Sequence, residues 1–281
     1  MTRLLVVGIS VIDYVHRMEA LPRGGAKFRS HGFARIGGGC GANAAVGAAR
    51  LGGAVTLVTR LGADAAGDEV AAMLGGEGLA LAAARGGRQP LSSVMVADDG
   101  ERMIVNYPGE GLPTAPPPIP AFDALNADCR WPEATEAALR AARAAGVPSV
   151  IDGERMTPEP LARLATHVVF SVQGIRDFTG IDALDAALAD AARRLPGRVA
   201  YTDGPAGVRW ADGPTVPAPR VRAVDTLGAG DLWHGAFALA LGRGRTLAEA
   251  SRFANGAAAA KCARAGGWEV YPTPGDVEDV A

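Results

Sequence analysis

The chain has 281 residues, a formal net charge of −2 and a sequence pI of about 6.1. This balance excludes a broadly basic surface, so nucleic acid is not expected as the main partner. The three cysteines are too few and too scattered for a disulfide framework or a cysteine-based zinc site, and they predict reduced thiols in a cytoplasmic protein. The apolar run at residues 4–12 is too short to span a bilayer, so no membrane segment is predicted.

The first part of the chain begins an alternation of strands and helices. A continuous apolar run at residues 4–9 predicts a buried parallel strand. The mixed residues 13–36 predict exposed strands outside the main sheet. Segment 37–43 then opens an alanine-rich helix that stops at Gly52-Gly53. A further strand and helix are predicted at residues 54–60 and 67–75.

A predicted hairpin interrupts this alternation. Two strand-like runs, 91–96 and 101–107, flank Asp98-Asp99-Gly100, and an Asp-Gly pair between such runs is a strong hairpin signal. We expect this hairpin to join residues 13–36 in one small accessory sheet. A small sheet with an apolar face is hard to keep soluble alone, so it also predicts self-association.

The alternation resumes after the three prolines at 116–118. Strands are predicted at residues 149–152, 167–171 and 199–202, with a hairpin at 208–216. Helices are predicted at residues 133–145, 160–165, 183–195 and 247–264. The whole pattern predicts an α/β fold with a central, mostly parallel sheet flanked by helices and a small second β-sheet.

The segment 221–241 carries the strongest chemical signal. Its apolar lead ends in Asp225-Thr226, passes through Gly228-Ala229-Gly230-Asp231 and continues into a helical pattern. The free N–H groups of a first helical turn, together with the helix dipole, favour an anion. An anion site beside a carboxylate suits phosphoryl transfer to an alcohol. The spacing alone suits a glycine turn with a capping aspartate equally well.

Several stretches together resemble the ribokinase/PfkB family of carbohydrate kinases. Residues 225–231 (DTLGAGD) resemble the C-terminal signature of the family, and residues 37–43 followed by 60–67 resemble its N-terminal signature. The resemblance implies a ribokinase-like fold over essentially the whole chain. The implied α/β core comprises residues 1–12, 37–88 and 109–281, and the implied β-sheet lid comprises residues 13–36 and 89–108.

The resemblance also implies roles for individual residues. Asp231 is the expected general base for the sugar hydroxyl. The expected donors to the phosphoryl group are the backbone N–H groups of Gly228, Ala229 and Gly230. The implied sugar contacts are Asp13, Gly38, Gly39 and Asn43. The implied nucleotide contacts are Thr202, Asp203, Gly204, Gly207, Thr226 and Asn255. ATP is expected to arrive with Mg²⁺ held mainly by phosphates and water, with no protein side chain as a metal ligand.

Ordinary structural roles remain open for several of these residues. Asp13 also suits a turn, and Asn43 a helix cap. Asp203 begins a common Asp-Gly turn, and a helical asparagine such as Asn255 can simply be exposed.

One departure from the family pattern concerns the metal. Many members carry an Asn-x-x-Glu motif that orders water around Mg²⁺, whereas the matching positions here are Ser171 and Gly174. The sulfofructose kinases of the same family resemble this chain, because they also lack the Asn-x-x-Glu motif. Contacts to metal-bound water are therefore expected to differ or to come from elsewhere.

Within the family, the chain most resembles the sulfofructose kinases. Residues 100–108 (GERMIVNYP) and 128–131 (DCRW) are among the matching stretches. The resemblance implies phosphorylation of 6-deoxy-6-sulfofructose at its C1 hydroxyl, in a homodimer formed through paired lids. A sulfonate needs cationic and polar donors, and the candidates are Lys27, Asn106 and Arg130, with Arg35 and Arg102 as further lid cations.

Other functions stay open at this point. The three candidate sulfonate contacts also have ordinary alternative roles. Lys27 suits a solvated surface lysine, Asn106 suits a turn, and Arg130 suits an arginine stacked on Trp131. Fructose 6-phosphate, fructose or another ketose are alternative acceptors. A non-catalytic protein that binds a sugar or a nucleotide on the same fold is a further alternative.

Overall fold

Two β-sheets organise residues 1–278, which are the residues that the computed structural model describes. In chain order the strands are β1 (Arg3–Val7), β2 (Val11–Met18), β3 (Gly32–Gly38), β4 (Ala54–Leu61), β5 (Ala80–Arg85), β6 (Leu91–Ala97), β7 (Arg102–Tyr107), β8 (Ala124–Ala127), β9 (Ser149–Gly153), β10 (His167–Ser171), β11 (Arg198–Thr202), β12 (Val208–Trp210) and β13 (Thr215–Val216). The helices are α1 (Cys40–Arg50), α2 (Ala65–Gly75), α3 (Pro132–Ala145), α4 (Glu159–Ala162), α5 (Val172–Thr179), α6 (Leu184–Arg194), α7 (Ala229–Gly242), α8 (Leu247–Cys262) and α9 (Pro274–Glu278).

The larger sheet has the strand order β13-β12-β11-β10-β9-β8-β1-β4-β5. All neighbours from β11 to β5 are parallel, and β12 and β13 extend one edge in antiparallel fashion. The predicted ribokinase-like α/β architecture with a smaller second sheet is therefore confirmed.

Strand β1 shows why a continuous apolar run becomes a central strand. Leu4 and Val6 pack into the core beneath α1, α2, α7 and α8, while Leu5 and Val7 pack into the core beneath α3 and α6. All four side chains are at most 1% exposed. A parallel strand covered by helices on both faces must be apolar at every position, which is the pattern at residues 4–7.

The smaller sheet has the strand order β3-β2-β6-β7. Strand β2 pairs with β3 in antiparallel and with β6 in parallel fashion, so it is an inner strand. The expectation that residues 13–36 form exposed strands is wrong for β2, whose Val15 and Met18 side chains are buried. Edge strand β7 is exposed along its whole length.

Strands β5 and β8 and helix α5 are among the elements that were not expected from the sequence. Strand β5 (ALAAAR) is rich in alanine, a poor strand former, and β8 (ALNA) has only four residues. Helix α5 contains Gly174 in its first turn, which weakens its helical pattern. These segments become regular because they pair with or pack on the neighbouring strands, an effect that local propensity does not contain.

The carboxyl ends of the parallel strands meet at one edge of the larger sheet. Polar residues follow these strands there, and helices α1 and α7 begin at the same edge. Ligands of open α/β sheets bind at this edge. No helix within residues 1–278 is long and apolar enough to cross a membrane.

Candidate active site

Two tight glycine turns place the beginnings of α1 and α7 side by side. Gly39 precedes α1 with φ 96°, and a Cβ there would lie 2.6 Å from the carbonyl oxygen of Ile9. Gly228 precedes α7 with φ 72°, and a Cβ there would collide with the hydroxyl of Tyr271. Both positions need glycine for conformation and for space. Neither helix has a side-chain N-cap, so their first N–H groups stay available.

Asp231 lies in the first turn of α7, at the floor of the cleft. Its Oδ2 accepts a hydrogen bond of 2.7 Å from Nδ2 of Asn43. Nε1 of Trp268 donates to Oδ1 of Asn43 at 2.8 Å, which fixes the amide orientation. Burial raises the pKa of the Asp231 carboxyl, and the Asn43 hydrogen bond opposes this rise. Asn43 therefore aims the predicted base and favours its ionised form.

The N-terminus of α7 offers backbone donors beside Asp231. Ala229 N–H lies 3.3 Å from the carbonyl oxygen of Thr226, and Leu232 N–H donates to Gly228 at 3.0 Å. Within residues 1–278, the N–H groups of Gly230 and Asp231 have no backbone acceptor. Of the predicted donors Gly228, Ala229 and Gly230, only the Ala229 N–H therefore has an acceptor among residues 1–278.

Asp13 reaches the same cleft from the smaller sheet. Its side chain is 8% exposed and hydrogen-bonds Ser92, and burial raises its pKa to about 6. The Asp13 carboxylate lies against Gly38, where a Cβ would collide with it. The charge of Asp231 also raises the Asp13 pKa, so the two carboxylates face the same space. The structure thereby brings together the predicted sugar-site residues Asp13, Gly38, Gly39 and Asn43.

Further acidic residues follow the strand ends next to this cleft. Asp128 is 3% exposed and accepts from Ile9 N–H at 2.8 Å and from Arg130 N–H at 2.9 Å. Burial raises the pKa of Asp128 to about 6. The carboxylate oxygens of Asp152 and Asp231 and the Cys40 sulfur lie within 4.8 Å of one another. Sequence reasoning assigned no role to Asp128, Asp152 or Cys40, although Asp152, the last residue of the predicted strand 149–152, was a usable signal.

A cavity of about 550 Å³ adjoins the N-terminus of α7. Its wall includes Ala229 and Gly230, and Trp233 with several alanines makes much of it apolar. Five of the six predicted nucleotide residues line it, namely Thr202, Gly204, Gly207, Thr226 and Asn255. Asp203 lies instead in a neighbouring surface pocket with Tyr201 and Arg209. Arg102 from β7 and Arg220 add positive charge to the cavity.

Asn255 builds this cavity from within the protein. Its Oδ1 accepts from Trp233 Nε1 at 2.7 Å, and its Nδ2 donates to the carbonyl oxygens of Val216 and Pro217 at 2.9 and 3.1 Å. The side chain is 3% exposed. Its amide thus ties α8 to α7 and to β13, and it holds one wall of the cavity in place.

The three predicted anion contacts have different environments. Lys27 is exposed in the connection between β2 and β3. Asn106 pairs with Ser92, which pairs with Asp13, so these three side chains share one face of the smaller sheet. The Arg130 guanidinium lies 3.2 Å from the Glu154 carboxylate. It does not stack on Trp131, because Arg60 occupies that ring face at 5.5 Å.

The chain has two lysines, and Lys261 is completely buried. Its Nζ donates to the carbonyl oxygen of Asp225 at 3.0 Å and lies 3.4 Å from Oδ2 of Asp225. Oδ1 of Asp225 accepts from Leu227 N–H at 2.9 Å. Lys261 therefore fixes the turn that leads into α7.

Replacement of Lys261 by methionine is expected to lower the free energy of unfolding by about 3 kcal/mol, because it leaves the Asp225 carboxylate without its buried counter-charge. Urea denaturation measures this change. Lys27→Met is the matched control, and at this exposed position we expect a change within about 0.5 kcal/mol. Equal effects of the two substitutions would contradict the structural role of Lys261.

Ser171 and Gly174, which stand where many family members have the Asn-x-x-Glu motif, lie at the N-terminus of α5. Ser171 Oγ accepts from Gly174 N–H at 3.0 Å and caps α5. The cluster of Cys40, Asp152 and Asp231 is a poor Mg²⁺ site, because Mg²⁺ prefers six oxygen ligands and a thiol is a soft ligand. That Mg²⁺ is held mainly by nucleotide phosphates and water stays a prediction.

Comparison with known proteins agrees with this geometry. The sequence model of the pfkB family of carbohydrate kinases matches residues 1–274. A ribokinase of Bacillus subtilis (strain 168) is 27% identical over 293 residues, which cover 100% of this chain and 99% of the relative.

Solved structures give the same result. A protein from Agrobacterium tumefaciens is 34% identical, with a TM-score of 0.91 over 99% of this chain and 96% of that one. Arabidopsis thaliana ribokinase, solved with ribose and ATP, is 25% identical, with a TM-score of 0.83 over 99% and 98% of the two chains. The chain therefore belongs to the pfkB family of carbohydrate kinases and is a phosphotransferase that acts on an alcohol group.

Proposed function

We propose that this sugar kinase transfers the γ-phosphoryl group of ATP to a sugar hydroxyl, with Asp231 as the general base. The observation that carries the proposal is the hydrogen bond of 2.7 Å from Asn43 to Asp231. This bond holds the Asp231 carboxylate at the N-terminus of α7, between Asp13 and the cavity of about 550 Å³. We propose that this cavity binds the nucleotide and call it the nucleotide cavity.

The chemistry follows from these positions. Asp13 accepts hydrogen bonds from sugar hydroxyls and orients the ring against Gly38. Asp231 takes the proton of the attacking hydroxyl as the new P–O bond forms and the bond to ADP breaks. The N–H groups of Gly230 and Asp231, aided by the helix dipole, stabilise charge on the transferring group. Bound Mg²⁺ supplies further neutralisation of the phosphate charge.

The acceptor that we propose first is 6-deoxy-6-sulfofructose, phosphorylated at C1. It is supported by the resemblance of residues 100–108 to the sulfofructose kinases. Asn106 lies on the same sheet face as Asp13 and is a suitable sulfonate donor, with Lys27 and Arg130 as the cationic candidates.

A neutral sugar, such as fructose or ribose, is the second candidate. Glu154 already neutralises Arg130, and the cleft is bordered by the carboxylates of Asp13, Asp128, Asp152 and Asp231. This arrangement repels an anionic sugar unless Arg130 exchanges Glu154 for the substrate. Fructose 6-phosphate meets the same electrostatic condition as the sulfonate.

A substrate panel decides between these acceptors. ADP release is measured with Mg²⁺-ATP and sulfofructose, fructose 6-phosphate, fructose, ribose or adenosine. If the sulfonate binds Arg130, Arg130→Gln lowers kcat/KM for sulfofructose about 10- to 100-fold and leaves that for fructose nearly unchanged. A wild-type preference for a neutral sugar removes the sulfonate proposal, and no phosphorylation of any sugar would contradict the kinase proposal itself.

We also propose a homodimer through the smaller sheet. Several large apolar side chains on β3 and β7 are between 38% and 61% exposed, namely Phe33, Met103, Ile104, Val105 and Tyr107. A second copy of the sheet would cover them.

Light scattering is expected to give the mass of two chains, and Val105→Glu is expected to give one, because it places a charge in the shared apolar surface. Met156→Glu is the control, since Met156 is 91% exposed in the loop after β9, outside the smaller sheet. A monomeric wild-type protein is incompatible with this proposal.

A further inference from the structure

His234 lies one turn beyond Asp231 on α7 and is 3% exposed. Its Nδ1 is 2.9 Å from the carbonyl oxygen of Gly230, and its Nε2 is 3.0 Å from the carbonyl oxygen of Val169 on β10. Carbonyl oxygens only accept hydrogen bonds. Both ring nitrogens therefore face groups that require a donor.

A neutral imidazole has a single N–H, so it would direct a lone pair at one of these two carbonyl oxygens. A doubly protonated ring donates to both. Its buried positive charge also has a counter-charge, because Oδ1 of Asp152 lies 3.6 Å from Nε2. We propose that His234 is a positioning residue that remains an imidazolium in the folded kinase and, with Asp152, keeps the Asp231 carboxylate ionised.

The charges around His234 support this assignment. Burial alone disfavours its charged form, but Asp152, Asp231 and the two carbonyl oxygens outweigh burial and raise the His234 pKa above its ordinary value. The other titratable or charged groups at this end of the sheet are Asp128, Arg130 and Glu154 after the strands, Cys40 on α1, Asp13 on β2, and Tyr271. Carboxylates outnumber cations in this set, so a nearby positive charge is stabilised.

Without the positive charge of His234, the neighbouring carboxyl groups of Asp152 and Asp231 would bind a proton more readily. The carboxylates of Asp152 and Asp231 lie within 4.8 Å of each other, and burial raises the pKa of both. Two buried carboxylates this close disfavour each other's negative charge, so one of them holds a proton more readily. A proton on Asp231 removes the base, so the His234 charge favours the reactive form.

His167 provides a matched comparison within the same molecule. It is also largely enclosed, with its ring edge-on to Trp210 and Phe237. Its Nδ1 has a hydroxyl partner, Thr166 Oγ1 at 2.8 Å, which can donate or accept. Burial lowers the pKa of His167 to about 4, so it is neutral at neutral pH.

The protonation state is tested directly by ¹⁵N NMR of the four histidines in the whole protein without substrate. His234→Asn and His167→Asn assign the two buried rings. We expect two protonated nitrogens on His234 at pH 7, where an unperturbed imidazole is mostly neutral, and a single neutral tautomer on His167. A neutral His234 ring at pH 7 overturns the proposal, and this result does not depend on the proposed reaction.

The second test rests on the proposed role of Asp231 as the base. In His234→Asn, no positive charge offsets the repulsion between the Asp152 and Asp231 carboxylates, so Asp231 holds a proton more readily and the acid limb of kcat/KM moves up by about one pH unit. The double variant Asp152→Asn/His234→Asn removes both partners and returns the limb toward the wild-type position. His167→Asn leaves the limb in place. If the role of His234 is purely structural, His234→Asn instead lowers kcat/KM equally at every pH. An unshifted acid limb in the folded His234→Asn variant would falsify the electrostatic role.

Discussion

Asp231→Asn is expected to lower kcat by about 10²–10⁴-fold while the affinity for the sugar stays nearly unchanged, because asparagine keeps the size of the side chain but cannot accept the hydroxyl proton. In this variant the side-chain amide oxygen at position 231 can still accept the hydrogen bond from Nδ2 of Asn43. Steady-state ADP release gives kcat, and calorimetry with the sugar gives the affinity.

Asp212→Asn is the matched control for this substitution. Asp212 is exposed between β12 and β13 and pairs with Arg198 at 3.3 Å, outside the cleft. We expect wild-type turnover for it. Wild-type turnover in Asp231→Asn would remove Asp231 from the role of general base.

Gly228→Ala has the second large effect. The residue has φ 72°, and a Cβ would collide with the Tyr271 hydroxyl and lie 3.2 Å from Asn43 Nδ2. The turn before α7 must therefore shift, which displaces the donors and Asp231 together. We expect the free energy of unfolding to fall by about 1–3 kcal/mol and kcat to fall about 100-fold. Thermal unfolding and steady-state kinetics measure the two changes.

Gly230→Ala and Gly275→Ala separate strain from ligand contact. A Cβ at either position meets nothing within 4 Å, so neither substitution should destabilise the fold strongly. Gly230 lines the nucleotide cavity, whereas Gly275 lies on α9. We expect a raised KM for ATP only in Gly230→Ala. Unchanged stability in Gly228→Ala is the outcome that contradicts the argument from its backbone angle.

Much of this fold was predictable because its signals are local. Continuous apolar runs marked the buried parallel strands, and the Asp98-Asp99-Gly100 turn marked the hairpin of β6 and β7. The motif at residues 225–231 lies immediately before and within the first turn of α7, as predicted, but no strand leads into it, because the preceding strand β13 ends at Val216. The α/β class followed from these features, and the family followed from the resemblance of residues 37–43, 60–67 and 225–231 to its signatures.

Features that depend on distant partners were not predictable. Strand β2 is buried because β6, some 80 residues later in the chain, pairs with it. Arg130 meets Glu154 only because β8 and β9 are neighbours in the sheet. His234 faces Val169, which is 65 residues away in sequence. A helical pattern shows that a histidine is buried, but the second acceptor and the counter-charge that set its protonation state are supplied by the neighbouring strands β10 and β9.

The short edge strand β7 links the two halves of the site. Arg102 at its start lines the nucleotide cavity, and Asn106, four residues later, shares a sheet face with Asp13. A movement of this strand that tightens contacts at one substrate alters the contacts at the other. If β7 moves in this way, we expect occupancy of the two proposed substrate sites to be coupled, with the sugar changing the affinity for ATP by the same factor as ATP changes the affinity for the sugar.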